Sequence, residues 1–402
     1  MLGKIEKAWK NWANKYKKTV RRKAFLTVFS NRLEDFNIMN KKYMNKLCNI
    51  MMEKEIDALM MGPSTDLKFL LGYSPLPDER FQSFVLVNTG EFFYISPQLT
   101  AEEIEEKIGE ELIMYTWGDH EGFVGTTIKA LKENNLENKT IGINNGILGI
   151  NFIDIKNNFD GEFINGHKVL EELRIIKDDK EIDLMRKAAE LADIVVGRTI
   201  EFIKPGVTEK EIKEKIEEYF LEEGADGLSF TPIVASGKNN SKPHYAEDSR
   251  TIQEKDIIIL DLGCKYKGLC SDMSRTVFVG GVTEEERKVY EIIRESNEAG
   301  EKAAQIGARS EEVDNAAREV IEKSGYGDYF INRTGHGIGY SVHEAPDIVG
   351  GNKIQLSQGM AFSIEPGIYI PNKFGMRIED IVVMTKEGPE ILNKFSKDII
   401  IK

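Results

Sequence analysis

Four acidic residues stand where buried strands are expected. Asp261 lies in DIIILDLG, Asp272 in LCSDMSRTVFVG, Glu365 in SIEPGIY and Glu379 in GMRIED. The flanking residues are apolar and β-branched, as in strands covered on both faces. An unpaired carboxylate in such a strand is costly. Any fold of this chain must therefore bring these acids to a common partner or to water. His336, in TGHGIG, is a fifth candidate, because the glycines beside it leave room for close backbone approach and keep the imidazole accessible. Four carboxylates and one imidazole can hold two divalent cations side by side, and such a pair activates a water for hydrolysis.

Asp261 and Asp272 flank a hairpin-like stretch. A two-residue loop at Tyr266–Lys267 sets them directly opposite each other, with Cβ atoms about 4.5–5.5 Å apart. A bulge at Gly268 shifts that pairing by one. Two carboxylates so close repel unless a proton or a cation lies between them. Glu365 and Glu379 repeat the arrangement across IYIPNKFGM, with Pro371, Asn372 and Gly375 in the connection. A carboxylate-rich set with one nitrogen donor suits Mn²⁺, with Co²⁺, Zn²⁺ and Fe²⁺ as alternatives. Each acid alone reads as a solvated surface or strand-end group. The five together read as a metal site.

The rest of the chain limits what surrounds such a site. Its 402 residues suffice for two or three domains, and 41% hydrophobic with 30% charged residues is ordinary for a globular protein. A net charge of −13 argues against nucleic acid as the partner, which needs basic stripes. Three cysteines, Cys48, Cys264 and Cys270, make a disulfide framework unexpected and fit a reducing, cytoplasmic setting. Without a C-x-x-C pair, Cys264 and Cys270 read as small strand residues rather than ligands. No apolar run is long enough for a spanning helix. Residues 1–40 differ, with ten Lys/Arg against three Asp/Glu and with Trp9, Trp12, Phe25 and Phe29. They read as a loosely attached basic extension. Membrane-surface contact through them is the less favoured reading.

Residues 41–170 alternate helix-like and strand-like pieces and read as an α/β domain. KKYMNKLCNIMMEKEID is a helix, DALMMG a strand, and FQSFVLVNTGEFFYIS a hairpin turning at Asn88–Gly90. TAEEIEEKIGE and TTIKALKENNLEN read as further helices and KTIGIN as a strand. Residues 171–402 read as an α+β unit. A long helix with Ile182, Met185, Ala189, Ala192, Val196 and Ile200 on one face stops at Lys204-Pro205-Gly206, and Thr208 with Glu211 forms the capping box of the next. Strands, two helices and glycine-punctuated strands follow, so that a carboxylate pair on hairpin-like strands flanks the helices on either side.

Those segments resemble the pita-bread metallopeptidases, in particular the Xaa-Pro peptidases (aminopeptidase P and prolidase). The resemblance runs from about Lys41 to the C-terminus and is carried by PHY, DLG…SDMSRT, TGHGIG…VHEAP, IEPGIY and RIED. It implies a creatinase-like α/β N-terminal domain, an α+β pita-bread catalytic domain, two divalent metal ions and hydrolysis of the Xaa-Pro bond by a metal-bridging water. Carried over, Asp261 chelates one metal, Asp272 and Glu379 bridge both, and His336 and Glu365 complete the second. Glu365 is also expected to shuttle the proton of that water. His244 in KPHY and His343 in SVHEAP match the substrate-site histidines, one of them stabilising the oxyanion. Arg377 matches the arginine before the last Glu and orients acidic ligands or a substrate carboxylate. A proline-containing peptide and a second copy of the chain, in a homodimer, are the expected partners. His120 and His167 match nothing and read as surface or loop residues. Asn332 departs from the pattern, since many relatives have His four residues before the metal-binding one. The departure bears on substrate preference or efficiency rather than on metal binding.

Other readings compete. Creatinase-like members dispense with metal, yet all five ligands are present here. A methionine aminopeptidase fits the N-terminal domain and VHEAP less well. A non-catalytic peptide-binding module would be expected to have lost ligands. Aminopeptidase and dipeptidase differ in how the site is closed beyond proline; loops of the N-terminal domain or of a neighbouring subunit provide that closure, with GYSPLPDERF a candidate, and the sequence leaves the two activities open.

Overall fold

The computed structural model describes residues 40–109 and 112–402, so the basic segment discussed above lies outside the described residues apart from Asn40. The chain divides into two compact units between Leu170 and Glu171.

The first unit is built on a six-stranded sheet, ordered β4-β3-β2-β1-β5-β6. Its strands are β1 (Ala58–Met61), β2 (Ser83–Val87), β3 (Phe92–Pro97), β4 (Ile113–Trp117), β5 (Thr140–Ile143) and β6 (Glu162–Asn165). β2 and β3 form the expected hairpin, with Leu86 opposite Phe92. β5 and β6 run parallel to β1, and β4 parallel to β3. Helices accompany the sheet: α1 (Lys41–Glu53), α2 (Thr65–Leu71), α3 (Gln98–Ile108), α4 (Phe123–Glu133) and α5 (Gly149–Lys156); α6 (His167–Arg174) starts in this unit and ends in the second. α1 starts at Asn40, whose side chain accepts from the Tyr43 N–H, and buries Met44, Leu47, Cys48 and Met51 on one face. His120 is exposed. His167 is not simply a surface residue: it opens α6, and its Nδ1 lies 3.3 Å from Oδ2 of the buried Asp66.

The second unit continues with α7 (Asp179–Phe202) and α8 (Glu209–Glu222). The residues assigned to the apolar face of α7 are buried, and both helices start with capping boxes, Asp178 with Glu181 and Thr208 with Glu211. These helices pack on a four-stranded sheet, β20-β12-β9-β8. It comprises β8 (Ile233–Ser236), β9 (Ile257–Leu262), β12 (Met273–Phe278) and β20 (Ile400–Ile401), with short β7 (Gly227–Leu228), β10 (Cys264–Tyr266) and β11 (Leu269–Cys270) extending the hairpin. Then α9 (Glu284–Ala303) and α10 (Ser310–Lys323) pack against a five-stranded sheet ordered β14-β13-β15-β18-β19 and against the β16-β17 ribbon. Those strands are β13 (Gly335–Gly337), β14 (Glu344–Ile348), β15 (Ala361–Ile364), β16 (Gly367–Ile370), β17 (Phe374–Arg377), β18 (Asp380–Thr385) and β19 (Gly388–Ile391).

The two acidic hairpins differ in how well arithmetic locates their pairs. The β10–β11 turn is centred on Lys267–Gly268, not on Tyr266–Lys267, because Tyr266 faces Leu269. Lys267 and Gly268 have φ of 48° and 86°. A two-residue loop of this kind needs positive φ at both positions, and Gly268 supplies one without strain. The register therefore moves by two: Asp261 faces Ser274, and Asp272 lies diagonally rather than directly across from it. In the second hairpin one register runs from Ile364 opposite Asp380 to Gly367 opposite Arg377, which sets Glu365 against Glu379.

Among the described residues no helix is long and apolar enough to cross a membrane.

Candidate metal centre

The two hairpins meet where β12 touches the end of the second one. The Glu379 N–H donates to the Ser274 carbonyl at 3.1 Å. This joins β9 and β12, with Asp261 and Asp272, to β15 and β18, with Glu365 and Glu379. Asp272, His336 and Glu379 are all buried, and each offers a ligand atom within 4.8 Å of the others. His336 Nε2 lies 3.4 Å from Glu365 Oε1 and 3.7 Å from Asp272 Oδ2.

The histidine is aimed by its neighbours. Its N–H donates to Ser363 Oγ at 3.1 Å, and Nδ1 is 3.1 Å from the Gly337 carbonyl. With the Nδ1 proton on that carbonyl, Nε2 is left bare toward the acids. Gly335 and Gly337 make this possible, since a Cβ at either would collide with the backbone carbonyl of Ser363 or Ala345.

Arg377, buried, reaches four groups. It donates to Asp261 Oδ2 at 2.5 Å, to Ser274 Oγ at 2.8 Å, to the Tyr369 hydroxyl at 2.8 Å and to the Pro243 carbonyl at 3.3 Å. Ser274 passes the contact on, donating to Glu379 Oε2 at 2.9 Å. Behind them Arg275, completely buried, donates to the Ser274 and Glu379 carbonyls and pairs with Asp380 at 2.7 Å.

The electrostatics show more buried acids than the one guanidinium of Arg377 can neutralise. Burial, and then the charges of Glu379, Asp261 and Glu365, hold Asp272 well above the usual carboxylate range. Burial, with Glu365 and Asp261, does the same to Glu379. Burial lifts Glu365 to about 7 despite the nearby Arg377. Burial lowers His336 to about 3, with His343 adding to the shift. Asp261 Oδ1, Asp272 Oδ1 and Glu379 Oε1 are buried without a hydrogen-bond partner. A carboxylate oxygen in that state is expensive. Divalent cations would satisfy all three atoms at once, and the donor set suits them.

His343 packs edge-on against His336, with ring centroids 4.3 Å apart and planes at 89°, and its own side is exposed. Burial, Arg333 and the nearby His244 lower its pKa. His244, also exposed, follows Pro243, whose carbonyl Arg377 holds. Asn332 donates to the Arg333 carbonyl at 2.9 Å and to the Glu365 carbonyl at 3.3 Å, so it touches the backbone of a site acid rather than its carboxylate. Cys264 and Cys270 are buried thiols that burial pushes up to about 12, and their sulfurs face Ser271, the Ala188 carbonyl and the Tyr340 carbonyl. They are small core residues, as their spacing suggested.

Sequence reasoning passed over Ser274, Arg275, Tyr369 and Asp380. A usable signal existed for two of them: Arg275 and Asp380 are opposite charges at strand positions that burial makes costly unless paired.

Comparison with known proteins accounts for this arrangement. Residues 183–386 match the model of metallopeptidase family M24, and residues 44–176 that of the creatinase/prolidase N-terminal domain. A Xaa-Pro dipeptidase of Pyrococcus furiosus is 34% identical over 90% of this chain and 100% of its own length. One of Lactobacillus delbrueckii subsp. lactis is 34% identical over 89% of this chain and 98% of its own length. The crystal structure of a prolidase from Thermococcus sibiricus superposes with a TM-score of 0.87 at 38% identity, over 91% of this chain and 100% of that one. The chain is therefore a member of metallopeptidase family M24, with a pita-bread catalytic unit preceded by a creatinase/prolidase N-terminal domain.

Proposed function

We propose that this protein is a Xaa-Pro dipeptidase whose Asp261, Asp272, His336, Glu365 and Glu379 hold two divalent ions, with Mn²⁺ the ion best matched to the donors. The observation that carries the reading is the set of three buried, partnerless carboxylate oxygens on Asp261, Asp272 and Glu379. The curated relatives described above are named Xaa-Pro dipeptidases, which favours dipeptides over longer peptides.

Bound ions would supply Lewis acidity to the scissile carbonyl and an acidified water. The protein's own residues do the rest. Glu365, whose Oε1 lies 3.4 Å from His336 Nε2, is placed to take the proton of that water and return it to the leaving proline nitrogen. His343 and His244, exposed on the open side, donate hydrogen bonds to the substrate and to the oxygen that gains charge. Arg377 is a positioning residue. Its contacts with Asp261, Ser274, Tyr369 and Pro243 support the role of orienting acidic ligands. The three described thiols are buried and unpaired, which suits a reducing cytoplasm, and the working unit is read as a homodimer.

The test is to strip the protein with chelator, restore Mn²⁺, count bound metal, and assay Xaa-Pro dipeptides beside Xaa-Pro-initiated longer peptides. Cleavage of the dipeptides alone is expected. Two bound ions with neither substrate cut would sink the peptidase reading. Preferential cleavage of the longer peptides would replace dipeptidase by aminopeptidase. Sedimentation of the same preparation checks the dimer.

A further inference from the structure

The loop carrying His343 is fixed by buried charges from the start of the second unit. Glu344, next in the chain, has only 2% of its side chain exposed, and Lys177 only 1%. Lys177 Nζ donates to Glu344 Oε1 at 2.6 Å. Arg174 lies 3.6 Å from the other carboxylate oxygen, which also accepts from the Ser341 N–H at 3.3 Å. Gly339, in the same loop, leaves room for the pair: a Cβ there would fall 2.5 Å from both Glu344 Oε1 and Lys177 Cε. A second tie runs beside it. The Tyr340 hydroxyl donates to Glu181 Oε1 at 2.8 Å, and Glu181 is the residue that closes the capping box of α7.

A buried ion pair is a poor means of stabilising a fold, because desolvation cancels much of the attraction and an apolar pair of the same shape often does as well. What such a pair does supply is fixed geometry, since either charge is heavily penalised if it loses its partner. Here the geometry fixed is that of the residue beside Glu344. His343 has no rigid element of its own on its N-terminal side, because β14 starts only at Glu344. It packs edge-on against His336 one residue before the anchored Glu344.

We propose that Lys177 is a positioning residue for His343, acting through Glu344. The catalytic consequence rests on the role assigned to His343 above, whereas the positioning itself does not.

The experiment compares Lys177→Met, His343→Ala and the double variant on a Xaa-Pro dipeptide, with metal content measured on each. Imidazole nitrogens of the ¹⁵N-histidine-labelled protein report the ring directly, since the chain has five histidines. Lys177→Met is expected to shift the His343 signals, leave those of His120 in place, keep the bound metal, and lower kcat roughly tenfold to a hundredfold. It should cost nothing further in the His343→Ala background. Lys177→Arg, which keeps the charge, should recover part of the loss. If Lys177→Met fails to fold with Glu344 stranded, Lys177→Met/Glu344→Gln removes the stranded charge and serves in its place. Equal losses in both backgrounds, loss of metal, or unmoved His343 signals would each overturn the proposal. A fully active His343→Ala variant would instead remove the catalytic role of His343, and the imidazole shift would still decide the positioning.

Discussion

Asp272, Glu365 and Glu379 are acids whose burial and mutual repulsion favour the protonated form. In the metal-free protein their folded-state pKa values lie above those of the unfolded chain. Their contribution is therefore fully present below about 4, the ordinary carboxylate value, and is lost as pH rises through each folded-state value, about 7 for Glu365 and well above the ordinary range for Asp272 and Glu379. His336 acts oppositely: lowered to about 3, it contributes above its ordinary value and loses that contribution as pH falls toward 3. Metal must displace the carboxylate protons. Binding at pH 6 should release protons, and apparent affinity should rise with pH through about 7, the value for Glu365. Calorimetry in buffers of different ionisation enthalpy measures this, and metal uptake without proton release at pH 6 would contradict the shifts. Asp272→Asn makes a paired prediction. Relieving the crowding should stabilise the metal-free protein by on the order of 1 kcal/mol, while activity is abolished and added metal no longer raises the melting temperature. A full metal response in that variant would remove Asp272 from the ligand set.

At the scale of elements, the hairpins explain what could be read in advance. Four of the five candidate ligands were legible because acids in apolar strands stand out, the fifth, His336, because glycines frame it, and the register sets Glu365 against Glu379 as the hairpin reading expected. The Asp261–Asp272 pairing was misjudged by two positions, since Gly268 draws the turn toward itself. Ser274 was not legible, because its value lies in a contact with a strand about a hundred residues away, and no local pattern marks such a partner. Lys177 reads as a solvated charge in IIKDDKE, and only the fold buries it. The glycines around His336 were legible, and they give a sharp prediction. Gly337→Ala should push β13 from β14, destabilise the protein by about 1–3 kcal/mol, and weaken metal binding by moving the imidazole. Denaturant unfolding with a metal titration tests both effects, and an unchanged metal affinity would show that His336 is held by something other than close backbone packing.

For the whole molecule, two compact units with separate cores make stability divisible. The candidate ligands all lie in the second. At a hundredfold excess over its dissociation constant, one ion adds about 2.7 kcal/mol. For a unit of this size that raises the unfolding midpoint by roughly 5–10 °C. Calorimetric scans with chelator and with Mn²⁺ should show a metal-dependent rise of at least this size, and coincident scans would mean that the folded protein does not bind the ion.

The bridge between Ser274 and Glu379 adds a consequence for protein lifetime. It joins two chain segments 105 residues apart, and the buried acids gathered beside it are costly there without an ion. An ion held there draws them together. A cell short of the metal would then hold more than an idle enzyme waiting for its ion: the copies lacking it would open along this seam and reach the proteases sooner, so that scarcity would be felt first as a shrinking pool of protein.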